Sequence, residues 1–139
     1  MSDNPRPLVL VIDPDPKTAT SLLPLLVAEG YRAASCSAIA RSLSAVQRRR
    51  PDLVLVSKEV ENCDGMIQIG KIKEMSPDTR AILLIESGDW PSVLDAIDAG
   101  ADDLHHKRSG AESLLRSVRR LLDPGQAPSA VRSFALHAR

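Results

Sequence analysis

The sequence has few aromatic residues, few cysteines and no surplus of either charge. Its 139 residues include one Trp, one Tyr and one Phe, and 18 Lys and Arg residues balance 18 Asp and Glu residues. A chain with no basic surplus and few stacking side chains is not expected to bind nucleic acid. Cys36 and Cys63 match no metal or redox spacing, which is typical of a protein in a reducing compartment.

Long hydrophobic runs are also missing. No apolar run approaches the roughly 18 residues that a membrane span requires. The N-terminal segment MSDNPRP is polar and carries an acidic residue, unlike a secretory signal. We therefore expect a cytoplasmic protein without a membrane partner, and the length fits one domain with a substantial core.

Short apolar runs alternate with longer segments of helical period, which predicts repeated βα units. The strands are predicted at residues 8–12, 32–36, 53–56, 81–85 and 103–106. The first, third and fourth are continuous Val, Leu and Ile runs, as expected for strands covered by helices on both faces. The second and fifth are more polar, which is typical of shorter strands or of edge strands.

Helices are predicted between these strands from their start and stop signals. The first covers residues 16–29 with Pro24 as an expected kink, and the second follows Ser37 as N-cap and ends near Arg48. The third covers residues 65–75, and the fourth runs from about Pro91 to just before Gly100. The fifth opens with the capping-box pattern of residues 109–112 and continues to Leu122.

Five βα units predict an α/β fold with a doubly wound parallel sheet. The domain is predicted to occupy residues 1–123, and residues 124–139 are predicted to form a linker and a C-terminal tail. In such sheets, ligand sites lie at the carboxyl ends of the strands. The residues expected there are Asp13, Pro14, Asp15, Ser57, Lys58, residues 85–87 and Lys107.

Four segments carry a resemblance to the receiver domains of two-component response regulators. PLVLVIDPDP resembles the acidic opening of those domains, and PDLVLVSKEVENCDG resembles the segment that bears their phosphoacceptor. AILLIES and DAIDAGADDLHHK resemble the fourth strand, fourth helix and fifth strand with the family's lysine. The resemblance covers residues 8–122 and implies a flavodoxin-like (βα)5 sheet of five parallel strands in the order 2-1-3-4-5.

The chemistry that the resemblance implies depends on five groups. An aspartate accepts the phosphoryl group, and two acids after the first strand help to hold Mg²⁺. A Ser or Thr hydroxyl and a lysine bind the phosphoryl oxygens. Matched position by position, the sequence keeps Asp13 and Lys107.

The other three positions differ from the family pattern. The acceptor position falls on Ser57, the second acid on Pro14 and the switch hydroxyl on Ile85. Proline cannot ligate a metal, isoleucine cannot bind a phosphoryl oxygen, and a serine hydroxyl is a weak nucleophile without a base. We therefore expect a degenerate receiver, or pseudo-receiver, that lacks the phosphoacceptor and binds Mg²⁺ weakly or not at all.

Three further positions bear on switching and partners. The family's aromatic switch falls on Leu104, the proline after the lysine is Arg108, and Trp90 follows the fourth strand as a half-buried loop residue or an interface residue. The resemblance implies a signalling protein as partner, either a histidine kinase or another regulator. It also implies that the fourth helix, fifth strand and fifth helix form a surface for either homodimerisation or the docking of a partner.

Several residues allow two interpretations. Asp13 and Lys107 form either a structural ion pair or a residual metal or anion site, and Asp15 either caps the first helix or replaces the missing acid. Ser57 is either a buried hydroxyl or a phosphorylation target. The arginines at positions 48–50 either complement a helix end or form a phosphate or partner patch. His105 and His106 point to opposite faces of a strand, so they are not expected to share a metal.

Three functions follow from these interpretations. The first is a binding module that acts in phosphorelay signalling through protein contacts, without its own phosphorylation. The second is a receiver phosphorylated at a displaced acceptor, Asp15 or Ser57. The third is a flavodoxin-like domain that binds a small ligand, although no Gly-rich phosphate loop follows the first strand. No constellation in the sequence predicts a stand-alone enzyme.

Overall fold

The computed structural model describes residues 6–60, 63–86 and 93–123. Within these ranges a main sheet of five strands is covered by five helices. The strands are β1 (Leu8–Ile12), β2 (Arg32–Cys36), β3 (Leu53–Ser57), β4 (Arg80–Ile85) and β5 (Asp103–His106). The helices are α1 (Pro16–Ala28), α2 (Ile39–Arg49), α3 (Gly65–Met75), α4 (Val93–Ala99) and α5 (Ala111–Leu122).

All neighbouring strands of the sheet run parallel, in the order β2-β1-β3-β4-β5. The predicted order 2-1-3-4-5 is therefore confirmed, with β2 and β5 at the edges. The predicted strands agree with the observed ones to within one residue at each end. The agreement follows from composition, because β1 and β3 are continuous apolar runs and every one of their residues is buried.

The sheet separates two apolar clusters because successive side chains of a strand point to opposite faces. On one face, Leu10 and Ile12 pack with residues of α2, α3 and α4. On the other face, Val9 and Val11 pack with residues of α1 and α5. Each fully buried Leu, Ile or Val contributes about 1.5–3 kcal/mol, so these two clusters are the main source of stability.

Two predicted helix starts are wrong. Ser37 is not the N-cap of α2, because the chain stays extended through Ala38, whose side chain has no capping group. Ser109 does not begin a capping box, because it ends a 3₁₀ turn that follows β5. Gly110 precedes α5 with a φ of 91°, a backbone conformation that glycine adopts without a steric penalty.

Two sequence signals concern the course and the end of α1. Gly30, with a φ of 98°, ends α1 as predicted, and α1 continues through Pro24.

A short antiparallel ribbon that pairs Glu59–Val60 with Cys63–Asp64 was not predicted. The predicted start of the fourth helix near Pro91, Trp90 and the tail at 124–139 lie outside the described residues. In the ranges that the structure describes, no helix is long and apolar enough to cross a membrane.

Candidate functional site

The carboxyl ends of four strands bring the predicted site residues to one end of the sheet. Asp13 follows β1, Ser57 ends β3, Ile85 ends β4 and Lys107 follows β5. The register pairs Ser57 with Leu84, and Ile85 with His106. Positions up to 94 residues apart in sequence therefore meet at one edge of the sheet.

Asp13 and Lys107 form an ion pair at this end. The Nζ of Lys107 donates to Oδ2 of Asp13 at 2.7 Å, and the side chains are 19% and 2% exposed, respectively. The backbone N–H of Asp15 donates to the other carboxylate oxygen at 2.9 Å. Both oxygens of Asp13 are thus engaged within the protein, as the structural interpretation of this pair predicts.

Asp15 caps α1. Its side chain accepts a hydrogen bond from the backbone N–H of Lys17 at 3.0 Å, and the residue is exposed. An acceptor at this position satisfies one of the free donors of the first helical turn. The capping interpretation is confirmed, and Pro14 links the two aspartates without contributing a ligand atom.

Ser57 is buried at the end of β3, with 4% of its surface exposed. Lys58 extends the pairing of β3 with β4 by one residue, because its backbone N–H donates to the carbonyl of Leu84 at 2.7 Å. The N–H of Gly65 in turn donates to the carbonyl of Lys58 at 2.6 Å. The start of α3 is therefore held against the end of β3.

Asp64 and Gly65 were not predicted as parts of this site. Asp64 caps α3 by accepting from the N–H of Met66 at 2.8 Å, and its carboxylate lies 3.9 Å from the ammonium of Lys58. A Cβ on Gly65 would overlap the carbonyl oxygen of Ser57. The Asp-Gly pair before a helical segment was the available sequence signal, since Asp favours N-caps and Gly allows close backbone approach.

The positions that the resemblance matches to the switch residues are apolar. Ile85 is 1% exposed and belongs to the cluster packed under α2, α3 and α4, and the half-buried Leu104 packs against the same cluster. Neither side chain can form a hydrogen bond. The structure therefore places hydrocarbon at both of these positions.

A cleft lies beside the ion pair. A cleft of about 280 Å³ opens between α1 and α5, with His105 and Lys107 on one wall and Leu22 and Leu114 among its apolar lining. Burial lowers the pKa of His105, while the nearby carboxylate of Asp103 opposes that shift. The neutral imidazole is thereby favoured, and Lys107 lies both in the ion pair and in this cleft.

Comparisons with known proteins agree with this architecture. A family profile described as the response regulator receiver domain matches residues 9–119. The DNA-binding response regulator MtrA of Mycolicibacterium smegmatis is 30% identical over 117 residues, which cover 84% of this chain and 51% of MtrA. The C4-dicarboxylate transport transcriptional regulatory protein DctD of Pseudomonas aeruginosa is 33% identical over 116 residues, which cover 83% of this chain and 25% of DctD.

The chain thus spans about half, or less, of the length of these curated relatives. Among solved structures, a two-component response regulator of the LuxR family from Aurantimonas sp. SI85-9A1 matches with a TM-score of 0.80 and 17% identity. That match covers 96% of this chain and 99% of the other, and it shows a shared fold. Because the family profile spans most of the sheet and its helices, the chain belongs to the response regulator receiver domain family.

Proposed function

We propose that this chain is a pseudo-receiver, a receiver domain of two-component signal transduction that acts through protein contacts and not through its own phosphorylation. The observation that carries the proposal is the pairing of Lys107 with Asp13 over 2.7 Å, beside a serine at the acceptor position. In this arrangement the family's lysine and its remaining acid neutralise each other. The buried hydroxyl of Ser57 replaces the carboxylate that would accept a phosphoryl group.

The donor set supports weak or absent Mg²⁺ binding. Mg²⁺ requires near-octahedral oxygen ligands and is held in proteins by one or two carboxylates together with substrate phosphates. Asp13 already accepts hydrogen bonds on both oxygens, and Asp15 caps α1. Pro14 and Ser57 supply no carboxylate, so the residues present do not fit the ion well.

The apolar switch positions support a readout that is independent of phosphorylation. A hydrogen bond to a charged group is worth about 1.5–3 kcal/mol, and neither Ile85 nor Leu104 can form one. A shift between two conformations would then have to come from a partner that binds one of them more tightly.

The partner in this proposal is a signalling protein, either a histidine kinase or another regulator. Members of the family are signalling proteins, and we propose no enzymatic activity, a cytoplasmic location and no contact of this domain with nucleic acid or membrane. A homodimer through α4, β5 and α5 is the second protein contact that we propose. Leu94 on α4, with 55% of its surface exposed, would be covered in such a dimer.

The experiment that tests the proposal is incubation with a small-molecule phosphodonor and Mg²⁺, followed by intact-mass measurement. We expect no phosphoryl adduct on the wild-type protein. The matched control is the triple variant Pro14→Asp, Ser57→Asp and Ile85→Thr, which restores the family's groups and is expected to gain an adduct. A Mg²⁺-dependent adduct on the wild-type protein, mapped to Asp15 or Ser57, would instead establish a displaced acceptor.

A further inference from the structure

A cleft lined by arginines shares no residue with the Asp13–Lys107 pair. It has a volume of about 360 Å³ and opens between helix α2 and edge strand β2. Leu10 and Ala45 line its apolar part, and residues 35–38 line the part at the end of β2. Its volume falls within the range of about 300–1,000 Å³ that is usual for small-molecule sites.

Three arginines of α2 line the cleft. Arg41 and Arg48 are seven residues apart, which puts them on the same side of the helix, and Arg49, about 100° further round the axis, also lines the cleft. All three are exposed, and within residues 6–60, 63–86 and 93–123 none of them forms an ion pair. The positive charge of this wall is therefore not neutralised by the carboxylates that the structure describes.

Small side chains leave the space between the arginines open. Ala45 lies between Arg41 and Arg48 on the helix face, and Cys36 and Ala38 lie on the opposite wall. Arg48 and Arg49 also stand in the last turn of α2, where cations complement the helix dipole. That effect accounts for a basic helix end, but Arg41 lies in the first turn, where a cation is unfavourable.

We propose that this cleft binds a small organic anion that carries two or more phosphate or carboxylate groups. Guanidinium groups bind such oxygens through paired hydrogen bonds. Arg41 and Arg48 are two helical turns apart, about 10 Å along the axis, so one anionic group cannot engage both ends of the cleft equally. The spacing thus selects a ligand with separated negative groups.

A small ligand fits this face better than a macromolecule does. The large hydrophobic side chains that are exposed lie on α1, α3 and α4: Leu25, Val27, Ile67, Met75 and Leu94. Among residues 40–49 of α2, no large hydrophobic side chain is exposed. A protein interface would need such anchors at its centre. The cleft also lacks aromatic side chains on which nucleic acid bases could stack.

The test is calorimetric titration of the full chain at low ionic strength with tripolyphosphate, and with inorganic phosphate as the single-group probe. We expect tripolyphosphate to bind at one site, and more tightly than phosphate by at least about tenfold. Each of Arg41→Gln, Arg48→Gln and Arg49→Gln should weaken binding by about fivefold. Arg116→Gln, at an exposed arginine of α5, is the matched control and should leave the affinity unchanged.

The variant Ala45→Leu tests the cleft itself, and titration with a DNA duplex tests the class of ligand. Ala45→Leu fills the cleft without removing charge and should abolish binding, with its fold checked by circular dichroism. The arginine variants test the proposal independently of that substitution. Equal losses for Arg116→Gln, or no binding of tripolyphosphate, would overturn the proposal. Tighter binding of a DNA duplex to the same arginines would also overturn it. The result is independent of phosphodonor reactivity, because the cleft shares no residue with the Asp13–Lys107 pair.

Discussion

At the scale of single residues, the Asp13–Lys107 ion pair ties the end of β1 to the turn after β5. Lys107 is 19% exposed on its side chain, so its ammonium is only partly hydrated. A charge in such a place depends on its partner more than an exposed charge does. The pair therefore has a structural role that can be measured apart from any signalling.

Asp13→Asn should lower the free energy of unfolding by about 1–3 kcal/mol, because a partly buried ammonium loses its counter-charge. Urea denaturation measures this change. Asp15→Asn is the control: asparagine caps helices about as well as aspartate, so its cost should be small. Equal midpoints for the two variants would show that the ion pair contributes nothing to stability.

His105 should make stability depend on pH. Burial lowers its folded-state pKa below the usual value of 6.5. The unfolded chain then binds more protons in the interval between the two pKa values, so stability is complete above about pH 6.5 and falls as the pH is lowered through that interval. Thermal melts between pH 5 and 8 measure the effect.

His105→Leu should flatten the pH dependence of the melting temperature in this range. His106→Gln, on the half-buried neighbour that faces the other side of β5, should keep it. An unchanged pH slope in the His105→Leu variant would assign the effect to other titrating groups.

At the scale of secondary-structure elements, the start of α3 lies against the end of β3. A side chain on Gly65 would overlap the carbonyl oxygen of Ser57 and lie 2.8 Å from the Cα of Lys58. Both neighbours are backbone atoms, which cannot rotate away. Close packing of these two elements thus depends on a missing Cβ.

Gly65→Ala should destabilise the protein by more than about 2 kcal/mol, since backbone must shift to relieve the overlap. Gly70→Ala on the same helix is the matched control. Its Cβ would lie 3.8 Å from the carbonyl oxygen of Ala99, which is an ordinary van der Waals contact. Helix propensity alone predicts that this second change stabilises by up to about 1 kcal/mol. Similar melting temperatures for the two variants would contradict the close approach.

The elements themselves could be predicted more fully than their ends. Continuous apolar runs identify β1, β3 and β4, because strands covered by helices on both faces bury nearly all of their residues. The caps of α2 and α5 could not be predicted, since they depend on the backbone angles of Ala38 and Gly110.

The candidate site likewise has a part that the sequence predicts and a part that depends on packing. Its members follow from their positions at strand ends, whereas the contact between Gly65 and Ser57 depends on how a helix packs. The arginine cleft also depends on packing. The run of arginines at 48–50 is visible in the sequence, but the contribution of Arg41 and the space above Ala45 become apparent only when α2 lies beside β2.

At the scale of the whole molecule, metal binding should be detectable as a change in global stability. A ligand that binds only the folded state at about 100 times its Kd adds about 2.7 kcal/mol. We expect millimolar Mg²⁺ to leave the wild-type melting temperature unchanged at constant ionic strength. The variant Pro14→Asp and Ser57→Asp should melt at a higher temperature when Mg²⁺ is present. An equal rise in the wild-type protein would show that Asp13 and Asp15 suffice to hold the ion.

The sheet that separates the two apolar clusters also sets how substitutions combine. Leu10 and Ile12 contact one cluster, whereas Val9 and Val11 contact the other. Free-energy changes add when two sites share no neighbours and deviate from additivity when they do. Substitutions on opposite faces should therefore behave independently, so the chain can accumulate changes under α2, α3 and α4 while the packing of α1 and α5 is preserved.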